Sequence, residues 1–328
     1  MMKRLWQKTM IALARSHRMK TFMQRDERMK ALAQRFVAGA DAQAALATAH
    51  RLLAAQGIRA SFFYLGEYVD RPELVSENVE QKLLIARLLA DEEEIDVHIS
   101  VDPTQIGLQT DPAEVGTRAL AIGRAIMTAS AGKAGLHCLM LDMEDSSVVD
   151  FTLALHDDLR RLELPAAITL QAYLRRSERD LERLITGGAR VRLVKGAFVG
   201  TSDIAFTSEA QIKTNYRRLV GMMLGAQAKA SGFYPIIATH DDRIQAEAVE
   251  LARRNGWPQG SYEFEMLLGV RSDVAERLSQ QGERVRLYVP FGRDWWPYAV
   301  RRIGENPANG ILLARSLLSG RKGRPATP

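Results

Sequence analysis

A closed (β/α)8 barrel is the fold class the sequence predicts, on three observations. Short apolar, strand-like runs alternate with longer amphipathic stretches, eight times over, from residue 60 onward. The runs are continuously apolar rather than alternating, as strands covered on both faces by crossover helices must be. No GxGxxG follows a strand, which argues against an open dinucleotide-binding sheet. The chain length of 328 residues suits one such barrel.

Each element has its own warrant. DAQAALATAHRLLAAQG (41–57) has helical periodicity and supplies a first helix ahead of the barrel. ASFFYLG (60–66) is the first strand, and RPELVSENVEQKLLIARLLADEE (71–93) is the amphipathic helix after it. IDVHISV (95–101), LHCLMLDM (136–143) and AITLQAY (167–173) are strands two to four. SERDLERLITGG (177–188) then reads as a helix, and VRLVKGAF (191–198) and YPIIATHD (234–241) as strands five and six. SYEFEMLLG (261–269), the helix RSDVAERLSQQG (271–282) and RVRLYVP (284–290) complete the set. One more helix lies in WWPYAVRRIGENPANG (295–310), with Asp294 as its cap and Pro297 in its first turn. Its spacing puts Tyr298, Arg301, Arg302 and Glu305 on one face and Trp296, Ala299, Val300 and Ile303 on the other. Three segments result: a basic helical arm with the first helix (1–59), the barrel with its last helix (60–318), and a short basic disordered tail (319–328).

Composition narrows the function classes. The chain is 46% hydrophobic and 26% charged, ordinary for a soluble domain. One cysteine, Cys138, rules out an internal disulfide framework and suits a reducing cytoplasm. No apolar run is long enough to cross a bilayer and no signal peptide is visible, so a cytoplasmic location is expected. The net charge of +6 is unevenly spread: residues 1–35 carry +8 and the tail after Ile311 carries +4, which leaves −6 for the body. An acidic body argues against nucleic-acid binding. The arm mixes Trp6, Met10, Ile11, Leu13 and Phe22 with basic residues. That pattern fits either a segment packed on the body or peripheral contact with an anionic membrane surface.

In such a barrel the loops after the strands build the site. Those ends are polar here: Asp142, Glu144 and Asp145; Gln171 and Tyr173; Arg192, Lys195 and Gly196; Thr239, His240 and Asp241; Glu265; Tyr288. A barrel built for stability alone has no need of this set. There is no HExxH, no CxxC and no second histidine at ligand spacing, so no metal site is expected. GxSxG is also absent, which removes the usual serine elbow. Lys195 has two readings: a Schiff-base amine of the aldolase type, if burial depresses its pKa, or a cation beside Arg192 and Gly196 for cofactor phosphates.

The ordered motifs RLVKGA (192–197), ATHD (238–241), FEMLLGVR (264–271) and LYVPFGRDWWPYAVRRIGENPAN (287–309) resemble the proline dehydrogenase family. YLGE (64–67), LDMED (141–145) and LQAYLRRSERDL (170–181) fit the same family. The resemblance implies an FAD enzyme that oxidises L-proline to 1-pyrroline-5-carboxylate by hydride transfer to flavin N5, with electrons passed to a membrane quinone. It assigns Arg192, Val194, Lys195, Gly196, Ala197 and Phe198, with Gln171, Thr239, His240 and Asp241, to the flavin. It places Asp142 at the substrate side and Leu267, Tyr288 and Tyr298 around the pyrrolidine ring. Arg301 and Arg302 hold the substrate carboxylate, Glu305 orients them, and the last helix lies across the barrel mouth. Three positions depart from the family pattern: Phe198 for a Tyr, Asp241 for an Asn, and Asp102 for a Lys near the substrate carboxylate. The charge reversal at Asp102 leaves open pairing with Arg301 or Arg302, protonation, a weakened enzyme, or a proline derivative or related cyclic amine as substrate.

Overall fold

The computed structural model describes residues 33–66, 69–198 and 200–305; in the last helix the side chains of Arg301, Ile303 and Glu305 fall outside the described set. The expected arm up to residue 32 and the expected tail therefore lie outside the described residues. Eight parallel strands close into a barrel in chain order. They are β1 (Arg59–Tyr64), β2 (His98–Val101), β3 (Cys138–Leu141), β4 (Ala166–Gln171), β5 (Arg190–Val194), β6 (Tyr234–Ala238), β7 (Glu263–Leu267) and β8 (Val285–Phe291). Closure runs along β1 and β8, in register from Arg59 opposite Arg286 to Tyr64 opposite Phe291.

The predicted barrel is present, and every apolar run contains a strand. Most strands end before their runs do: β3 ends at Leu141 and β6 at Ala238, so Asp142 and Thr239–Asp241 lie just past them, whereas β8 runs on to Phe291.

The helices are α1 (Ala42–Gln56), α2 (Pro72–Ala90), α3 (Val115–Ala129), α4 (Val149–Arg161), α5 (Ser177–Thr186), α6 (Glu209–Met223), α7 (Ala226–Ala230), α8 (Asp242–Arg254), α9 (Ser272–Gln280) and α10 (Trp296–Glu305). α1 shows why the sequence delimits them well. Asp41 accepts a hydrogen bond from the Ala44 N–H at 2.9 Å, and Gly57 ends the helix at φ +64°, where a side chain would be strained. α10 begins one residue later than expected. The Ala299 N–H bonds to the Trp295 carbonyl, so Trp295, not Asp294, holds the capping position. Trp296, the first helical residue, is buried and lies edge-on to Trp295 at 6.0 Å. No helix among the described residues is long and apolar enough to cross a membrane.

Strand side chains alternate between two environments. Outward residues such as Phe62, Ile99, Leu139, Ile168, Leu193 and Val289 pack with the helices in one large apolar layer. Inward residues form storeys. At the floor Arg286, wholly buried, bonds Glu263 at 2.7 and 3.0 Å, Asp96 at 2.6 Å and the Ala60 carbonyl at 2.7 Å. Arg284 and Arg59 support the same carboxylates. Above it Cys138, Met140, Ala167 and Ile236 make a small apolar plug. The polar storey above that is the mouth.

His98 is buried, and neither of its ring nitrogens is hydrogen-bonded among the described residues. Burial first, then the Arg286 and Arg192 charges, hold its pKa well below the ordinary value. Burial also lowers His156 and His240 to about 4. In the unfolded chain these histidines take up protons near pH 6.5, whereas in the fold they do not. The contribution of these histidines to stability is therefore complete above that pH and falls as acid is added towards pH 4. Urea midpoints measured at pH 7.5, 6.0 and 5.0 should decline in that order, and a flat series would contradict it.

Candidate active site

The mouth is organised by Arg192 on β5, which is 3% exposed. Its Nε donates to Thr169 of β4 at 3.1 Å, one terminal nitrogen to Glu265 of β7 at 3.0 Å, and the other to Ser100 of β2 at 3.3 Å and to Asp142. Ser61 of β1 donates to the same Glu265 oxygen at 2.6 Å, and Tyr288 of β8 donates to Asp142 at 2.9 Å. The guanidinium also lies 5.4 Å from the Tyr288 ring centre. Six of the eight strands thus converge on one cation and two carboxylates. A charge this deep is tolerable only when every direction offers a partner.

Asp102 follows β2, and its carboxylate acts on the Tyr288 phenol, whose pKa is raised well above the ordinary value, by burial first and then by Asp102. Asp102 and Tyr288, both expected at the site, are thus close enough to interact. Leu267 ends β7, and its N–H donates to His240 Nε2 at 3.0 Å. That bond requires the neutral ring with its proton on Nδ1. Burial lowers His240, and the next contribution is the charge of Arg302, which brings α10 close to the β6 end.

α10 is covered on both faces. Trp296, Val300 and Tyr298 are buried with Phe36, Val37, Phe63 and Leu65, and Tyr288 and Trp295 pack beside them. Arg302 is half-buried, its guanidinium 5.3 Å from the Tyr298 ring centre. The Tyr298–Arg302 face therefore meets protein. The side chains of Arg301 and Glu305, expected on this face, lie outside the described residues.

The remaining predicted residues occupy one rim. Gln171 is buried, donates to the Met143 carbonyl at 3.1 Å and, among the described residues, leaves its side-chain oxygen unpartnered. Thr239 accepts from the Asp241 N–H at 3.1 Å. Asp241 caps α8 and pairs with Lys213 at 2.8 Å. Val194 is half-buried, Ala197 is exposed and Phe198 is 44% exposed. Lys195 is 53% exposed and 3.9 Å from Glu209, so the apolar burial required of a Schiff-base amine is missing. Gly196 has φ +96°, and a Cβ there would overlap the Tyr173 ring, so only glycine brings backbone this close. An open hydrogen-bond acceptor, approachable backbone and an exposed cation suit a phosphate-bearing cofactor with N–H donors. Among the described residues no cluster of His, Cys, Asp or Glu could hold a metal ion.

Sequence reasoning did not single out Ser61, Ser100 and Thr169, or the floor set of Asp96, Glu263 and Arg286. Their only signal is polarity at alternate positions inside apolar runs.

The sequence profile described as Proline dehydrogenase matches residues 45–315. A proline dehydrogenase of Deinococcus radiodurans is 35% identical over 303 residues, covering 90% of this chain and 92% of that protein. Proline dehydrogenase 2 of Bacillus subtilis strain 168 is 32% identical over 289 residues, covering 88% and 90%. Among solved structures, proline utilization A of Bdellovibrio bacteriovorus inactivated by N-propargylglycine has a similar fold. Its TM-score is 0.75 at 23% identity, and the match covers 91% of this chain and 34% of that larger one. Corynebacterium freiburgense proline utilization A gives 0.70 at 22%, covering 99% and 36%. Fold, mouth and sequence lead to one assignment: this chain belongs to the proline dehydrogenase family.

Proposed function

We propose that this protein oxidises L-proline to 1-pyrroline-5-carboxylate with bound FAD and passes the electrons to a quinone. Family membership supports oxidation of the CH–NH bond of proline. The observation that carries the reading here is the half-buried Arg302, which stacks on Tyr298 and acts on His240, while Tyr298 packs with the Tyr288 that bonds Asp142. FAD, when bound, supplies the two-electron acceptor for hydride leaving the carbon next to nitrogen. Lys195, the Gly196 backbone, Gln171, Thr239 and His240 are the residues that would hold it.

The chain itself does the positioning. Arg302, with Arg301, fixes the substrate carboxylate through guanidinium forks. Leu267, Tyr288 and Tyr298 flank the ring, and Asp142 is held ready beneath it by Arg192 and Tyr288. Buried Trp296 and Val300 exclude water from that side. The basic, apolar-rich segment 1–35 supports contact with a membrane surface where quinone is found.

The purified protein should be yellow, and anaerobic L-proline should bleach its flavin. Hydroxyproline, prolinamide and N-methylproline belong in the same series, because Asp102 near Tyr288 favours a masked carboxylate as the competing reading. Bleaching by prolinamide but not by L-proline would overturn free proline as the substrate. Gly196→Ala should strain the rim by about 1–3 kcal/mol and push on Tyr173. Its flavin content after purification should be well below the parent's.

A further inference from the structure

Lys82 on α2 is wholly buried, an unusual place for an ammonium group. Its Nζ donates to Gln105 Oε1 at 2.9 Å and to the Asn78 side-chain and main-chain oxygens at 3.3 and 3.4 Å. All three acceptors are neutral, and together they use every donor an ammonium has. The 3-10 turn Pro103–Ile106 carries Gln105, and the turn starts from Asp102, whose carbonyl receives the Gln105 N–H at 3.0 Å. The Gln105 amide donates in turn to the Tyr64 carbonyl at 3.0 Å and the Gly66 carbonyl at 3.2 Å. One ammonium therefore braces the ends of both β1 and β2 where they enter the mouth.

The charges around it are few. From β1 the Tyr64 ring centre lies 5.9 Å away, and its hydroxyl donates to Glu77 of α2 at 2.5 Å. From the β2 end, the Asp102 carboxylate favours the charged lysine against burial, which lowers it to about 7. On its other side the same carboxylate acts on Tyr288, which bonds Asp142. Asp102 thus acts on both the buried cation of α2 and the Tyr288 phenol of the mouth, and the turn it begins carries Gln105, the acceptor of the Lys82 hydrogen bond.

We propose that Lys82 is a positioning residue for the active site: it offsets the Asp102 charge and fixes Gln105, so that the mouth accepts a carboxylate best while Lys82 holds its proton. The inference rests on the reading of the mouth as a carboxylate-binding pocket. It assigns the anion beside Tyr288 a counter-charge that the family resemblance does not supply.

A ring carboxylate with oxygen in place of the amine is the probe, because nothing on it titrates between pH 6 and 8.5. Its Kd on the flavin-loaded protein, by calorimetry, should weaken about tenfold across that range as Lys82 loses its proton. His240, at about 4, stays neutral throughout. Lys82→Met should bind weakly at both ends, Asp102→Asn tightly at both, and the double variant should return to tight, flat binding. Lysine-selective NMR should show one side chain titrating near 7, and its midpoint should fall in Asp102→Asn. If Lys82→Met does not fold, Asp102→Asn decides: a remaining tenfold rise overturns the proposal. Flat binding in the parent overturns it as well. Failure of L-proline to bleach the flavin, with the Kd profile intact, would instead defeat the substrate assignment.

Discussion

Arg286→Met is expected to leave little folded protein at 37 °C. The substitution removes four hydrogen bonds from the barrel floor and leaves Asp96 and Glu263, each almost wholly buried, with Arg284 and Arg59 as partial support. Breaking one side of a buried ion network costs about 3–5 kcal/mol, because the surviving charges stay desolvated. A whole domain holds only about 5–15 kcal/mol in reserve. Urea titration should show the midpoint lowered by a large fraction of the parent's value. A loss below about 1 kcal/mol would mean that the other two arginines already neutralise the floor.

The largest catalytic effect is expected at Arg302. In Arg302→Met, kcat/KM for L-proline should fall about 10²-fold, mostly through KM, as for truncating one partner of a desolvated charge pair. Methionine keeps much of the apolar stem that packs over Tyr298, so flavin content should stay near the parent's. A second readout separates local charge from damage. Arg302 helps hold His240 near 4, so the His240 midpoint by NMR should rise in the variant. Unchanged kinetics would mean that the half-buried face of α10 does not touch substrate.

Much of this was legible in the sequence, for physical reasons that also mark where legibility ends. Strand runs such as LHCLMLDM announce themselves because a strand covered on both faces must be apolar at nearly every position. The polar residues just past them, Asp142 and His240 among them, stood out against that background. Arg192 and Glu265 stood out with them, but the charges of the floor did not. Glu263 and Glu265 in SYEFEMLLG, or Arg284 and Arg286 in RVRLYVP, look alike on paper. Only closure of the barrel shows that Arg286 pairs across the floor with Asp96 while Glu265 pairs at the mouth with Arg192. Lys82 was hidden for a similar reason. A lysine within an amphipathic helix reads as solvent-facing, and only the packing of α2 on β1 and the turn after β2 makes it internal. Burial of Tyr298 on the helix's polar face likewise depends on Phe36 and Val37, some 260 positions away in sequence.

That last pairing bears on how the protein is made. Phe36 and Val37 leave the ribosome well before Trp296, Tyr298 and Val300, which cover them. Ala38 and Gly39 likewise wait for Pro290 and Gly292, to which their backbones bond. At about 5–20 residues per second, the early apolar segment spends on the order of tens of seconds without its partners. Strands β1 to β7 can pair in order as they emerge, but the ring closes only when β8 meets β1, and the roof over the mouth follows. Synthesis therefore leaves the pocket unfinished until β8 and the Trp296–Val300 segment have emerged. A chain stopped before Trp296 would keep every strand, yet it would expose Phe36 and Val37 and be drawn to chaperones rather than to substrate.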